Sequence, residues 1–407
     1  MGSGIRCLKG FMAERGARRW LLALGMPLAL GSCDGTTEPE LNEALVVVTA
    51  GAAHTCGLTA GGRVFCWGWN RDGQLGNGAT DDAAVPAAVR GDLTFAAISA
   101  GGGHTCGLTP ANEAYCWGFN QNGQLGTGSL AAVSEPAAVS TDVSFAALSA
   151  GGSYTCGLDS SGQAFCWGWN GDGQLGDGTT TDRLGPVPVS GGLTFTSVSA
   201  GAFHTCGVAT DGQAYCWGRN RSGELGNNVV TNATEPVLVS GGLTFASIDA
   251  GFEHTCGVTT GGDGYCWGSD DFGQLGNGRD GGALTPTSIV DAASFALISA
   301  GAAYACGVYT SGEAWCWGFN QSGQLGSNVA DACTDDEGFL VACSQVPFAV
   351  TGGLRFASVV AGSQHTCGVT RDDVAYCWGR GSLGQLGNGS TGENLFSVEP
   401  VRVAGPP

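Results

Sequence analysis

The tripeptide Cys-Trp-Gly recurs along the chain and constrains the fold more than any other feature. It begins at Cys66, Cys116, Cys166, Cys216, Cys266, Cys316 and Cys377. The interval is 50 residues five times and then 61 residues. Each unit also holds an apolar segment ending in Ala-Gly, an earlier cysteine, a Gly-Gln-Leu-Gly corner (Gly-Glu-Leu-Gly in the fourth unit) and a segment with Pro. A fixed period of this size is typical of architectures in which each unit packs against its neighbours.

The runs within each unit predict an all-β protein. They are short, rich in β-branched and aromatic residues, and separated by Gly and Asn, which is typical of four antiparallel strands. Seven such units predict a seven-bladed β-propeller over about residues 44–405. The segment Ala44–Gly51 is a single strand before the first unit, and we expect it to complete the last blade and close the ring. An open solenoid is the alternative. The longer sixth unit places an insertion at about Val329–Val346.

The cysteines come in pairs ten residues apart, on either side of a turn. A three-residue turn would place both directly opposite each other on neighbouring strands, close to disulfide distance. We therefore expect the disulfides Cys56–Cys66, Cys106–Cys116, Cys156–Cys166, Cys206–Cys216, Cys256–Cys266, Cys306–Cys316, Cys333–Cys343 and Cys367–Cys377. Such pairing requires an oxidising compartment. A metal site is the alternative, but no pair has the Cys-x2-Cys spacing.

The N-terminal segment has the pattern of an export signal. Basic residues come first, the apolar run Trp20–Leu30 follows, and Gly31-Ser32-Cys33 ends it. The run is too short to cross a membrane. The ending resembles a bacterial lipobox, so residues 1–32 are expected to be a signal peptide and Cys33 a lipidated residue. Residues 33–43 are then a tether. The alternatives are a plain secretory peptide with Cys33 unmodified, or a cytosolic protein.

The charge distribution argues against nucleic-acid binding. The formal net charge is −19, and Lys9 is the only lysine. After residue 32 the chain carries 11 Arg (16 basic residues less 5) against 34 acids (35 less 1). Such a surface repels phosphate backbones.

The full repeat pattern, from Ala-Gly-x-x-His-Thr-Cys-Gly-Leu to Ala-Tyr-Cys-Trp-Gly-x-Asn-x-x-Gly-Gln-Leu-Gly, resembles the regulator of chromosome condensation repeat. The resemblance covers about residues 44–405 and implies a seven-bladed propeller with the same closure by an N-terminal strand. Members of that family include a nuclear exchange factor for a small GTPase, a plant UV-B sensor and a secreted bacterial enzyme inhibitor. The export signal, the paired cysteines and the acidic surface depart from the first two, so we do not expect guanine-nucleotide exchange here.

Several recurring residues invite a chemical interpretation. Histidines hold one repeat position (His54, His104, His204, His254 and His365), but Tyr154 and Tyr304 replace them in two units. We therefore expect hydrogen bonds between strands rather than a metal site. The Trp of each Cys-Trp-Gly is expected in the core between blades, and the Gly-Gln-Leu-Gly corners are expected to be positive-φ turns. Acidic residues cluster in the insertion at Asp331, Asp335, Asp336 and Glu337, where a solvated loop is expected and calcium binding is the alternative.

The position directly after Trp-Gly varies while its neighbours repeat. It holds Trp69, Phe119, Trp169, Arg219, Ser269, Phe319 and Arg380. Aromatic residues and Arg dominate binding hot spots, and repeat symmetry would place all seven on one face of the ring. Phe203 and Phe252, in the variable pair after Ala-Gly, are expected to join them. The alternative is that these aromatic side chains only cover blade edges.

The sequence thus predicts an exported, envelope-anchored recognition module that docks a protein or a glycan on one ring face. No catalytic motif, cofactor or metal is expected, and the protein is expected to be a monomer with membrane contact only through Cys33. The alternative function is an extracytoplasmic enzyme acting on a polysaccharide. Clustered acids at the channel mouth would favour that enzyme, and an uncharged aromatic face would favour binding.

Overall fold

The computed structural model describes residues 44–290, 293–329, 331–334 and 338–406. The predicted signal peptide, Cys33 and the tether lie outside these residues. Within the described part of the chain, every regular element is a β-strand. No helix there has the length and apolar character needed to cross a membrane.

The strands form seven antiparallel sheets, each continuous in sequence. Blade 1 contains β1 (Leu45–Ala50), β2 (His54–Thr59), β3 (Val64–Gly68) and β4 (Ala83–Ala88). Blade 2 contains β5 (Ala97–Ala100), β6 (His104–Leu108), β7 (Ala114–Gly118) and β8 (Val133–Ala138). Blade 3 contains β9 (Phe145–Ala150), β10 (Tyr154–Asp159), β11 (Ala164–Gly168) and β12 (Arg183–Pro188). Blade 4 contains β13 (Phe195–Ala200), β14 (His204–Ala209), β15 (Ala214–Gly218) and β16 (Ala233–Leu238).

The remaining blades follow the same plan, with one addition. Blade 5 contains β17 (Phe245–Ala250), β18 (His254–Thr259), β19 (Gly264–Gly268) and β20 (Ala283–Ser288). Blade 6 contains β21 (Phe295–Ala300), β22 (Tyr304–Tyr309), β23 (Ala314–Phe319), β24 (Ala332–Thr334) and β25 (Leu340–Ala349). Blade 7 contains β26 (Phe356–Ala361), β27 (His365–Thr370), β28 (Ala375–Arg380) and β29 (Phe396–Arg402). The short β24 and the lengthened β25 belong to the predicted insertion.

The N-terminal strand lies at the closure of the ring, as expected, but its hydrogen-bonding partner differs from the prediction. β1 pairs with β2 of its own blade, with Thr49 opposite Cys56. The last blade is complete without it, because β26 to β29 all come from the C-terminal unit. Leu45 and Val48 instead pack against Val369 and Ala375 of blade 7. The ring therefore closes through side-chain packing and hydrogen bonds between the first and last blades, and not through an exchanged strand.

All eight predicted disulfides are formed. In the hairpin of blade 2, Cys106 lies directly opposite Cys116, and their Cα atoms are 4.1 Å apart. A bond from the Thr109 amide to the Glu113 carbonyl closes the turn, which leaves three residues at its tip. The insertion's disulfide differs, since Cys333 pairs in register with Val341 rather than with Cys343.

A repeated set of buried hydrogen bonds joins each blade to the next. The Trp117 indole N–H and the Thr105 hydroxyl both donate to the backbone carbonyl of Gln74 in the preceding blade, at 3.0 and 2.9 Å. Because that hydroxyl proton is committed, His54 must donate its Nε2–H to Thr105 Oγ1, at 2.9 Å. We call this set, with its equivalents at the other blade boundaries, the junction lattice.

The junction lattice runs around the ring and across its closure. His365 Nε2 lies 2.8 Å from Thr55 Oγ1, and Trp67 donates to the Gln385 carbonyl at 3.0 Å. Tyr154 and Tyr304, which replace histidine, contact the corresponding Thr205 and Thr366 hydroxyls. The seven Trp side chains are fully buried. The predicted role of the Trp position is therefore confirmed, and four of the five histidines form the expected hydrogen bonds, which run between blades. The exception is His254, whose ring nitrogens have no partner.

Candidate functional site

The seven residues that follow Trp-Gly occupy equivalent places on one face of the ring. Each backbone N–H in this set donates to a carbonyl in the β-turn of the same blade, at 2.8 to 3.0 Å. For Trp69 the acceptor is Ala53, and for Phe119 it is Gly103. These turns connect the two innermost strands of each blade, and they border the central channel. We call these seven residues, together with the two variable turn residues of each blade, the channel-mouth face.

The side chains of the channel-mouth face differ in their exposure to solvent. Trp69, Phe119, Trp169, Arg219 and Phe319 are half-buried, as is Phe203. Phe252 and Arg380 are exposed. Ser269 is buried, so the ring of predicted binding residues is interrupted at blade 5. The structure therefore places every predicted binding residue on one face, but with unequal access to solvent.

One aromatic cluster spans blades 3, 4 and 5. The Trp169 and Phe203 rings meet edge to face with centroids 5.7 Å apart, and Phe203 meets Phe252 at 4.9 Å. The Arg219 guanidinium lies over the Phe203 ring at 4.6 Å and forms an ion pair with Glu253 at 3.5 Å. This cluster combines a large apolar area with a cation over a ring face.

Two smaller groups complete the face. A Cβ at Gly103 would lie 3.2 Å from the Phe119 side chain and 3.9 Å from that of Trp69, so this glycine leaves room between them. On the other side of the ring, Phe319 contacts Phe272 with centroids 5.0 Å apart. Phe272 was not predicted from the sequence, although it replaces the Asp, Asn or Ser that blades 1 to 4 and 6 hold at its position.

The aromatic side chains also cover part of their own blades, as the alternative interpretation predicted. In blade 5 the Gln274 amide donates to Ser269 Oγ at 3.0 Å. Where an aromatic residue replaces this serine, the corresponding amide nitrogens of Gln74, Gln124, Gln174 and Gln324 are buried without a nitrogen or oxygen partner. The residue after Trp-Gly therefore shields a buried carboxamide, whichever other role it has.

The central channel is lined by small residues and hydroxyl groups. Its cavity measures about 270 Å³. The inner strands contribute Thr49, Ser99, Ser149, Ser199, Asp249, Ser299 and Val360. Asp249 is the only acidic residue among the described residues that line it. It accepts bonds from the Ser199 hydroxyl at 2.8 Å and the Ala300 amide at 2.9 Å, and burial raises its pKa.

The remaining candidate groups have structural surroundings. Burial lowers the pKa of His54 to about 3 and that of His104 to about 4, so both are neutral near pH 7. Gly73 and Gly76 in the first corner have φ of 82° and 67°, as expected for turns. Within the described residues, no group of three His, Cys, Asp or Glu side chains could hold a metal ion. Asp335, Asp336 and Glu337 of the insertion lie outside those residues.

Solved propellers of low sequence identity share this fold. Yeast RCC1 (Prp20), solved bound to Kap60, aligns with a TM-score of 0.74 and 21% identity over 89% of this chain and 85% of that chain. Human WBSCR16 aligns with a TM-score of 0.72 and 21% identity over 82% and 88%. The CRINKLY WD40 ectodomain of the Arabidopsis thaliana receptor kinase ACR4 aligns with a TM-score of 0.52 and 22% identity over 83% and 97%.

Family comparison agrees with the repeat pattern. The RCC1-like domain matches residues 22–353. The regulator of chromosome condensation (RCC1) repeat matches residues 356–385 and 372–407. The chain belongs to the RCC1-like domain family.

Proposed function

We propose that this protein is an exported recognition propeller that docks a partner protein on its channel-mouth face. The observation that carries the proposal is the aromatic cluster of Trp169, Phe203 and Phe252, with Arg219 stacked on it. Trp, Arg and other large side chains at the centre of an interface supply most of the binding free energy when a partner excludes water from them.

The variation at this position supports a role beyond folding. The backbone bond that anchors the residue after Trp-Gly is the same in all seven blades. The side chain, by contrast, is Trp, Phe, Arg or Ser. A buried carboxamide can be shielded by Ser269, so the fold does not require an aromatic residue there. Large half-exposed rings at such a position are the composition of a contact surface.

A protein partner is favoured over a glycan by the behaviour of relatives. The yeast protein has been solved bound to Kap60, and its binding properties to Gsp1p and histones have been described. The family relationship also favours a second candidate function, exchange activity on a small GTPase, although the export signal, the paired cysteines and the acidic surface argue against it. Accelerated release of a fluorescent guanine nucleotide from Gsp1p would support that candidate.

The proposal places the protein in an oxidising compartment outside the cytosol. Eight disulfides in one chain are typical of exported proteins. Anchoring through a lipid on Cys33 is part of the proposal, with secretion in free form as the alternative. The intact mass of protein from the membrane fraction tests it, since a chain beginning at Met1 would contradict the anchor.

The docking face is tested by capture from the host's envelope and culture medium on immobilised residues 44–407. The face variant carries Trp69→Ser, Phe119→Ser, Trp169→Ser and Phe319→Ser. The matched control carries Val85→Ser and Leu238→Ser, which remove exposed apolar side chains from the outer strands β4 and β16. Thermal melts of all three proteins verify folding.

We expect a partner that binds the native protein and the control but not the face variant, because truncating hot-spot residues costs about 2 kcal/mol or more each. Equal capture of the same partner by all three folded proteins would contradict the proposed face.

A further inference from the structure

The residue two positions after Trp-Gly fastens the long loop of its blade. In blades 1 to 4 it is a buried asparagine. Asn70 Oδ1 accepts a bond from the Leu75 amide at 2.9 Å. Its Nδ2 donates to the carbonyls of Ala79 and Asp81, at 3.1 and 3.0 Å. Asn120, Asn170 and Asn220 make the same bonds to the carbonyls nine and eleven residues further on.

A third oxygen adjoins the same amide nitrogen in three of these blades. It belongs to the side chain seven residues further on, and lies 3.1 to 3.4 Å from Nδ2 at Asn77, Asp177 and Asn227. The amide nitrogen is therefore enclosed by oxygen acceptors. We call the side-chain oxygen and the two loop carbonyls the oxygen cage of the blade.

Blade 5 places an aspartate at this position and keeps the first part of the loop, although the backbone differs at Gly281, whose φ is 90°. Asp270 Oδ1 accepts a bond from the Leu275 amide at 2.9 Å, as Asn70 Oδ1 does from Leu75. The Asn277 side chain accepts a bond from the Arg279 amide at 2.8 Å, as Asn77 does from Ala79. The strands also pair alike, with Gly268 opposite Ala283 and Gly68 opposite Ala83. By sequence position, the corresponding oxygens are Asn277 Oδ1 and the carbonyls of Arg279 and Gly281, seven, nine and eleven residues after Asp270.

The second carboxylate oxygen of Asp270 has no partner. Only 6% of the residue is exposed, and Oδ2 is buried without a hydrogen bond. It occupies the place of an amide that donates two or three bonds, yet it has no hydrogen to donate. Burying an unpaired carboxylate among acceptors is costly unless a positive charge joins them. A carboxyl proton can serve one acceptor, whereas a cation can contact all of them.

We propose that blade 5 binds Ca²⁺ between Asp270 Oδ2, the Asn277 side-chain oxygen and the loop carbonyls of Arg279 and Gly281. Carboxylate, amide and backbone carbonyl oxygens are the ligands that Ca²⁺ takes in proteins, and water completes such sites. Asp271 and Asp280 flank Asp270 and add negative charge, which raises the affinity for a divalent ion. Arg279 is the basic residue of the same loop. With one direct carboxylate, affinity is expected in the range of extracellular modules, about 10⁻⁴ to 10⁻³ M.

The site is tested with residues 44–407, which contain the complete closed ring, after chelation and at pH 8. Burial raises the pKa of Asp270 to about 7, so this pH removes a competing proton. We expect isothermal titration calorimetry with CaCl₂ to give one equivalent, and 10 mM CaCl₂ to raise the melting temperature by several degrees. MgCl₂ at the same concentration is expected to have little effect, since Mg²⁺ demands a stricter geometry.

Two variants separate the site from general ion effects. Asp270→Asn restores the amide of the other blades, and is expected to abolish the calcium response while melting no lower than the native protein in chelator. Asp92→Asn, at an exposed position, is expected to retain the response. A native protein that ignores Ca²⁺ and loses less stability than Asp270→Asn between pH 8 and pH 6 would show a proton in the cage and overturn the proposal. An equal calcium response in Asp270→Asn would also overturn it.

Discussion

Trp167 and Trp169 are separated by one residue and belong to two different regions of the molecule. Trp167 is fully buried in the junction lattice and donates its indole N–H to the Gln124 carbonyl at 2.9 Å. Trp169 lies half-buried on the channel-mouth face, against Phe203. The first position is Trp in all seven units, whereas the second varies. The end of each such strand therefore supplies two kinds of residue. One joins the blades, and the other can vary without loss of the fold.

The junction lattice predicts a strong sensitivity to acid. Burial lowers the pKa values of all five histidines, to about 3 or 4. The unfolded chain binds their protons below about pH 6.5, and the folded ring does not. Stability is therefore complete above pH 6.5 and falls as the pH drops towards 4, by about 1.4 kcal/mol per histidine and pH unit.

Urea unfolding at pH 7 and pH 5 measures this loss. The matched variant His104→Tyr copies the residue of blades 3 and 6, and is expected to lose about 2 kcal/mol less between the two pH values. If the free energy of unfolding of the variant had the same pH dependence as that of the native protein, the histidines would not be the cause of the acid sensitivity.

The disulfides allow a second comparison, between a buried hairpin of the core and the partly exposed insertion. Removing the buried pair with Cys106→Ala and Cys116→Ala is expected to cost about 2.7 kcal/mol in chain entropy, plus a packing loss. Cys333→Ala and Cys343→Ala open a ring of the same size, but Cys333 is only half-buried. Chemical denaturation of both variants should therefore show the smaller loss for the insertion. A larger loss of unfolding free energy in the insertion variant would contradict the conclusion that the hairpin disulfides lie in the core.

One junction is weaker than the others and can be repaired. Blade 6 holds Ala305 where the other blades hold threonine, so His254 lacks the hydroxyl partner that His104 finds in Thr155. Ala305→Thr is expected to stabilise the ring by about 1 kcal/mol, and Thr155→Ala to destabilise it by about 1 to 3 kcal/mol. Thermal melts measure both changes. Destabilisation by Ala305→Thr would mean that this junction cannot accommodate the threonine side chain.

The repeats made most of the fold predictable from the sequence. Hairpin register follows from the cysteine spacing and a three-residue turn, which are local constraints, and the disulfides followed from them. The strand that pairs with β1 could not be predicted in this way, because both its own blade and the last blade had an edge strand with which it could pair. The short turn after Gly51 brings β2 beside β1, so the nearer edge was taken. The backbone carbonyl of Gln74 also escaped prediction, since a backbone acceptor leaves no pattern in the side chains.

The candidate site was predictable in position but not in detail. Comparing units located the residue after Trp-Gly, yet the clustering of Trp169 with Phe203 depends on distances between blades that no single unit contains. Phe272 and Asp270 were missed for a simpler reason. Both replace a polar residue of blades 1 to 4 and 6, whereas blade 7 holds Gly381 and Leu383 at these positions, and only a comparison of every position of the repeat would single them out.

The junction lattice stabilises the propeller, whereas the side chains of the channel-mouth face are available to bind a partner protein. The most direct test is the free energy of unfolding of Trp167→Ala beside that of Trp169→Ala, measured by urea denaturation at pH 7. We expect a loss of about 3 to 5 kcal/mol for Trp167→Ala and about 1 kcal/mol for Trp169→Ala, which removes one aromatic contact. Equal losses would contradict it, because Trp169 would then be part of the structure that joins the blades.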